Sequence, residues 1–246
     1  MKCALCRSDD VPLCESHIFP EFLYKEVYEG DGHIYYAFSN DPNERAVRRR
    51  KGVYENLLCQ SCESIIQRYE DYAAKVLYGG TRIAVQRSRE MITISELDYP
   101  KFKLFQVSLI WRAGVSRSRE FQGVDLGPHS EPMRRMLFEG DPGESYQYGC
   151  MLSFIPPVHD LMKKIIYVPE KTPSRILGHT CYRAMLGGLH WAFFVSNHLK
   201  DFPHHEAFFA KDGVLRVFRA AAPAMRFFQE VGKEFVKANP TFVNKK

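Results

Sequence analysis

Two pairs of cysteines near the start of the chain have the spacing of metal ligands. Cys3 and Cys6 are separated by two residues, and so are Cys59 and Cys62. Four thiolates from two such pairs form the tetrahedral sulfur site that a structural Zn²⁺ prefers, whereas thiol–disulfide exchange is the alternative chemistry of a single pair. We interpret the four cysteines as a structural zinc site that holds the intervening segment in place.

The segment between the two cysteine pairs contains one histidine with a suggestive setting. His17 lies in the sequence Glu15-Ser16-His17-Ile18-Phe19-Pro20. An imidazole with a pKa near ~6.5 is largely neutral at pH 7, so it can accept a proton. A lone histidine is usually a structural residue, but its place in a metal-closed loop favours a functional role.

A helix is predicted directly after the second cysteine pair, over residues 63–78. Apolar residues recur there at intervals of three and four, and Gly79-Gly80 ends the pattern. Glu63 falls in the first turn of this helix. Glu70 lies two turns later and is either solvent-exposed or turned toward the same site as Glu63.

The order of these features resembles the HNH endonucleases, the ββα-metal family, in their zinc-ribbon form. The resemblance covers residues 1–78 and consists of the first cysteine pair, His17-Ile18-x-Pro20, Asn56-Leu57, the second cysteine pair and the helix. It implies a zinc-stapled ββα module in which His17 is the general base and Asn56 orients the loop that carries it. Glu63 takes the final Asn-or-His position and would be a ligand of a catalytic Mg²⁺ or Mn²⁺.

The chemistry of these residue types agrees with that resemblance. Hydrolysis of a phosphodiester needs a base, positive charge beside the developing oxyanion and a rigid frame. His17 is the candidate base, and the carboxylate of Glu63 is a hard oxygen ligand suited to a divalent cation. Four thiolates leave no open position on the zinc, so the zinc would be structural.

Two positions depart from the family pattern. The family has an acid immediately before the histidine, where this chain has Ser16, and Glu63 replaces an Asn or His. The carboxylate has thus moved from one ligand position to the other. A catalytically inactive zinc module that binds nucleic acid or supports assembly is therefore the alternative to an endonuclease.

A basic stretch inside the metal-closed loop predicts a contact with phosphates. Five of the seven residues from position 45 to position 51 are basic, within a chain whose net charge is +5 and whose pI is about 8.8. Such a cluster neutralises a nucleic-acid backbone, although a solvated basic loop is the alternative. The expected partner is nucleic acid, with double-stranded DNA preferred, and the residues are Arg45, Arg48, Arg49, Arg50 and Lys51.

Composition excludes several classes of protein. The 246 residues are 45% hydrophobic and 26% charged, which is typical of a globular chain and excludes disorder. No run of 18 apolar residues and no secretory signal is visible, so we expect a cytoplasmic protein without a membrane partner. The remaining cysteines lack partner spacing and are predicted to be buried: Cys14, Cys150 and Cys181.

The remainder of the chain predicts a second, mixed α/β domain over residues 81–246, after the module at 1–80, and hence an α+β protein. Near residue 111 we expect a core tryptophan flanked by exposed arginines, Arg112, Arg117 and Arg119, with contact to nucleic acid as the alternative. Gly187-Gly188 predicts a hairpin turn. Helices are predicted at 102–113, 132–138 and 223–237, and strands at 148–155, 164–168, 181–186, 189–196 and 214–219.

Overall fold

The computed structural model describes residues 1–25, 27–28, 34–37, 47–154 and 166–220, with the backbone alone for 34–37 and 47–49. These residues combine helices with largely antiparallel sheets, which confirms the α+β class. The α-helices are α1 (Gln60–Tyr78), α2 (Tyr99–Val115) and α3 (Ser130–Glu139). The strands are β1 (Leu13–His17), β2 (Ile34–Ala37), β3 (Val47–Arg50), β4 (Tyr54–Cys59), β5 (Ala84–Arg87), β6 (Met91–Ser95), β7 (Cys150–Phe154), β8 (Tyr167–Lys171), β9 (Thr180–Leu186), β10 (Leu189–Val195) and β11 (Leu215–Arg219).

Two strands and a helix form the first structural unit. β1 pairs antiparallel with β4, and α1 begins directly after β4, three residues earlier than predicted. The pairing shifts between Cys14 and Glu15, so Leu57 is an extra residue on β4, as in a β-bulge. The buried side of α1 has the expected spacing of four and three and consists of Cys62, Ile66, Tyr69, Ala73 and Val76.

The segment between β1 and β4 contains a short 3₁₀-helix and a two-stranded hairpin. The 3₁₀-helix spans Glu21–Tyr24, and its buried residues are Leu23 and Tyr24. β2 pairs antiparallel with β3, which contains three of the five basic residues in the basic stretch. Arg45 lies outside the described residues, as does the closing helix predicted at 223–237.

A seven-stranded sheet occupies the later part of the chain. Its strand order is β5-β6-β11-β7-β10-β9-β8, and only the β11–β7 pair is parallel among the pairings described. The Gly187-Gly188 turn joins β9 to β10 with positive φ at both residues, as predicted. Strands β5 and β6 were not expected, and β8 begins at Tyr167 and extends to Lys171.

Helix α2 lies between the first unit and the sheet. Thirteen of its seventeen residues are buried, which is typical of a helix surrounded by protein. Phe105 contacts both sides, because its ring centroid is 5.8 Å from that of Phe22 and 6.1 Å from that of Trp191. One hydrophobic core extends from Cys3 to Val217, so the predicted domain boundary near residue 80 falls within a continuous core.

The prediction of exposed arginines on this helix is wrong at one position. Trp111 is buried, as expected, but Arg112 is buried as well, with only 1% of its surface exposed. Arg117 and Arg119 are exposed and follow the end of α2 at Val115. The physical reason is that α2 is buried on every side from residue 102 to residue 113, which includes Arg112.

Gly114 provides a test of how closely α2 is packed. An added Cβ would lie 2.4 Å from Cγ of Leu126, whose side chain is buried. In an exposed helix Gly→Ala stabilises by about 1 kcal/mol, but overpacking of a core costs about 1–3 kcal/mol. We therefore expect Gly114→Ala to lower the free energy of unfolding measured in urea. Gly123→Ala is the control, because no atom lies within 4 Å of its Cβ position; a stabilised Gly114→Ala would contradict the packing.

Candidate metal centre and adjacent histidine site

The four cysteine sulfurs converge to a single point of the fold. Their Sγ atoms all lie within 4.8 Å of one another, and Sγ of Cys6 is 3.8 Å from Sγ of Cys59. Tetrahedral ligation with Zn–S bonds of about 2.3 Å places the sulfurs about 3.8 Å apart, so the spacing fits a metal ion such as zinc. Cys14 does not belong to the cluster.

Main-chain hydrogen bonds hold both halves of this cluster. The first cysteine pair lies in a tight turn, where Arg7 N donates to the Cys3 carbonyl oxygen at 2.9 Å and Ala4 N donates to Leu57 O at 3.0 Å. Cys59 is both the last residue of β4 and the N-cap of α1, and its N–H donates to Sγ of Cys3 at 3.3 Å. The cluster therefore fixes the junction between β4 and α1.

Electrostatics around the sulfurs favours a bound cation. Burial raises the pKa of the Cys62 thiol, whereas hydrogen bonding with Ser8 lowers the pKa of Cys6 to about 6. Buried thiolates this close together repel one another unless a cation neutralises them. The donor set thus fits a divalent metal in a closed site.

His17 is the last residue of β1, and its ring packs on Tyr54 of β4. The ring centroids are 4.0 Å apart, and Nε2 is buried without a hydrogen-bond partner among the described residues. Burial lowers the pKa of His17; the charge of Glu21 opposes this shift, and the charges of Arg112 and Lys51 add to it. The imidazole is therefore neutral at pH 7, the form that accepts a proton.

Ser16 occupies the position where an acid was expected, and it contacts the carboxylate of Glu63. Its hydroxyl is buried, accepts a hydrogen bond from Leu58 N at 3.1 Å and donates one to Oε1 of Glu63. The position before the histidine and the first turn of α1 are thus in contact. An acid at position 16 would place two carboxylates against each other, whereas a serine hydroxyl stabilises the single carboxylate of Glu63.

The strand pairing separates the predicted site residues into two faces. Glu15 pairs with Asn56 and His17 pairs with Tyr54, so these four side chains share one face, while Ser16 turns toward Glu63 on the other. Asn56 is exposed beside His17. Among the described residues, no contact joins the His17 ring to Glu63, and the four cysteines are the one cluster of three or more metal-ligand side chains.

The buried Arg112 connects this site to α2, and sequence reasoning missed it. Its Nη1 donates to the His17 carbonyl oxygen at 2.7 Å, and its Nη2 forms an ion pair with Oε1 of Glu70 at 2.5 Å. Burial raises the pKa of Glu70, and the guanidinium opposes that shift. An arginine directly after the apolar run Leu109–Trp111 is the signal that could have found this pair, because a buried charge needs a partner.

The end of the basic stretch lies on the side of His17. Arg50 and Lys51 are exposed, and the charge of Lys51 is close enough to act on the pKa of His17. Arg48 and Arg49 belong to β3, and their side chains lie outside the described part of the structure. Of the described cations in this stretch, Lys51 is therefore the one shown to act on His17.

No protein-family model, no curated protein and no solved structure matches this chain. Within the described residues, none of the helices combines the length and the apolar composition needed to cross a membrane.

The cysteine cluster makes a direct prediction about metal content. We expect about one tightly held zinc per chain by elemental analysis, because four thiolates form a complete tetrahedral site. Cys6→Ser is expected to lose this zinc and to unfold at a lower temperature, since structural metal binding contributes to folding. Cys14→Ser is the matched control because Cys14 is a thiol outside the cluster. Equal zinc loss in both variants would refute the ligand assignment.

Proposed function

We propose that this chain is a metal-dependent endonuclease of the HNH type that hydrolyses phosphodiester bonds of double-stranded DNA. The observation that carries the proposal is the β1–β4–α1 unit, in which the cysteine cluster lies at the junction of β4 and α1 and His17 ends β1. The order of strand, strand and helix is that of the ββα-metal module suggested by the sequence. A zinc ion held by Cys3, Cys6, Cys59 and Cys62 would be structural.

In this proposal His17 takes a proton from the attacking water. Its neutral imidazole is held by packing on Tyr54, and its depressed pKa keeps it ready to accept a proton at pH 7. Asn56 lies on the same face of the strand pair and is free to orient the loop or the substrate. Both residues lie on the paired strands β1 and β4, so their backbone positions are set by the pairing, as efficient catalysis requires.

Glu63 is the proposed ligand of a catalytic Mg²⁺ or Mn²⁺. It is a half-buried carboxylate in the first turn of α1, and oxygen donors of this kind suit hard divalent cations. The Ser16 hydroxyl bonds one carboxylate oxygen, which orients the side chain and leaves the other oxygen for a metal. When bound, the cation would stabilise the charge that develops on the leaving oxygen.

The basic stretch would supply the nucleic-acid contact. Arg45, Arg48, Arg49 and Arg50 precede Lys51, whose charge acts on His17. Cations at this position would neutralise the phosphates on either side of the scissile bond and make binding depend strongly on salt.

A second candidate function is a nucleic-acid-binding or assembly module that does not cleave. The observation that favours it is the separation of His17 from Glu63, which lie on opposite faces of the β1–β4 pair. In that case the cysteine cluster and the basic stretch form the functional surface.

Plasmid cleavage with Mg²⁺ or Mn²⁺ separates these functions. We expect His17→Ala to lower the cleavage rate by about 10²–10⁴-fold, the usual effect of removing a general base. We expect Glu63→Gln to raise the Mg²⁺ or Mn²⁺ concentration needed for half-maximal cleavage, because it removes a charged ligand. His204→Ala is the control because His204 is exposed and far along the chain. Equal nicking by the wild type and His17→Ala would remove His17 from the mechanism, and salt-sensitive binding without cleavage would favour the second function.

The pH dependence of cleavage provides another test. Because the pKa of His17 is lowered and the base must be neutral, the acid limb of the rate profile should lie below the ordinary histidine value of about 6.5. Removing a neighbouring cation favours the protonated ring, so Lys51→Asn should move this limb to higher pH. Asparagine tolerates the positive φ of 56° at this position. Lys200→Asn, at an exposed position outside the site, is the control, and a shift of equal size there would contradict the role of Lys51.

A further inference from the structure

Arg112 reaches the proposed nuclease site from a helix outside the β1–β4–α1 unit. Its side chain is 1% exposed, and its guanidinium contacts three different elements. Nε donates to Ser108 O within α2 at 3.3 Å, Nη1 donates to the His17 carbonyl oxygen, and Nη2 pairs with Glu70 on α1. One planar group therefore joins the end of β1, the middle of α1 and the last turns of α2.

The chemistry of a guanidinium suits this junction better than that of any other side chain. A buried cation costs free energy unless it is paired and hydrogen-bonded, and here a carboxylate and two carbonyl oxygens meet it. The guanidinium presents its donors in a fixed fork, so the carbonyl oxygens of Ser108 and His17 are held at a fixed angle to one another, while Glu70 is held by its charge. An ammonium group could neutralise Glu70 without imposing that angle.

We propose that Arg112 is a positioning residue for the site described above: by binding the His17 carbonyl and the Glu70 carboxylate, it fixes the end of β1 relative to α1. The inference rests on the proposed nuclease function. Because His17 ends β1 and Glu63 lies in the first turn of α1, the Arg112 bridge sets the relative placement of the base and the candidate ion ligand. It also makes residues beyond 80 a necessary part of the site.

The electrostatic surroundings of His17 agree with this role. The charged groups that act on the imidazole are Glu21 from the 3₁₀-helix, Lys51 after β3 and Arg112 from α2, while Tyr54 of β4 covers the ring. The charge of Arg112 helps to keep the imidazole neutral. Loss of the guanidinium would therefore disturb both the geometry and the protonation of the base.

The test uses the full chain with its zinc and compares three variants. Arg112→Gln/Glu70→Gln removes both charges, so no uncompensated buried ion remains. Arg112→Lys keeps the charge but loses the planar fork. Lys103→Met is the matched control: Lys103 is a fully buried cation on the same helix, and its Nζ donates to Tyr148 O at 3.0 Å, away from His17.

Two readouts distinguish positioning from general stability. The first is the NMR resonance of the His17 Hε1 proton, which is assigned by its absence in His17→Ala and is followed as the pH is varied. In the double variant we expect the chemical shift of this proton to change and its titration midpoint to lie at higher pH. The second is plasmid cleavage, where we expect a loss of about a hundredfold in kcat with little change in KM, the usual effect of a misplaced catalytic group. For Arg112→Lys, both the titration midpoint of His17 and the value of kcat should lie between those of the double variant and the wild type.

Failure of the positioning role of Arg112 and failure of the nuclease function would give different results. An unchanged His17 resonance in the folded double variant would overturn the proposal, and so would an equal change in Lys103→Met. If the double variant does not fold, Arg112→Lys decides: a wild-type His17 resonance and titration in that variant would overturn the proposal. If the wild type does not cleave DNA, the nuclease function fails, while the His17 resonance still tests whether Arg112 positions the histidine.

Discussion

The convergence of four cysteine sulfurs constrains everything between residue 3 and residue 62. Sulfurs that lie within 4.8 Å of one another repel as thiolates and lose hydration on burial, so the arrangement is stable when a cation neutralises it. The cluster ties the N-terminal turn to the junction of β4 and α1. The loop that carries His17 and the basic stretch is therefore closed at its base, and its ordering costs less entropy than an open loop would.

A second constraint is the burial of α2 over most of its length. The helix separates the β1–β4–α1 unit from the seven-stranded sheet, and its residues pack on both. The core is continuous from Cys3 to Val217, so the two parts stabilise each other. The two buried cations of α2, Lys103 and Arg112, are each bonded to main-chain carbonyl oxygens, as burial of a charge requires.

Sequence patterns predicted those elements that depend only on residues close together in the chain. The spacing of apolar residues predicted α1, the Gly187-Gly188 pair predicted its hairpin, and cysteine spacing predicted the metal cluster. Strand β5 escaped prediction because it is an exposed edge with little apolar pattern. The ion pair of Arg112 and Glu70 escaped because its partners are 42 residues apart and meet only through the packing of α1 on α2. The pairing of His17 with Tyr54 depends on the register of distant strands and on the bulge at Leu57.

The charges beside α1 give a physical reason for a serine, rather than an acid, at position 16. Two carboxylates, Glu63 and Glu70, face this side of the helix, and the negative charge of Glu63 raises the pKa of Glu70. Arg112 compensates Glu70, and the neutral hydroxyl of Ser16 contacts Glu63 without compensating its charge. An acid at position 16 would add a second uncompensated negative charge to a buried position, at a cost that only a permanently bound cation could offset. Serine therefore leaves Glu63 as the single carboxylate at this contact.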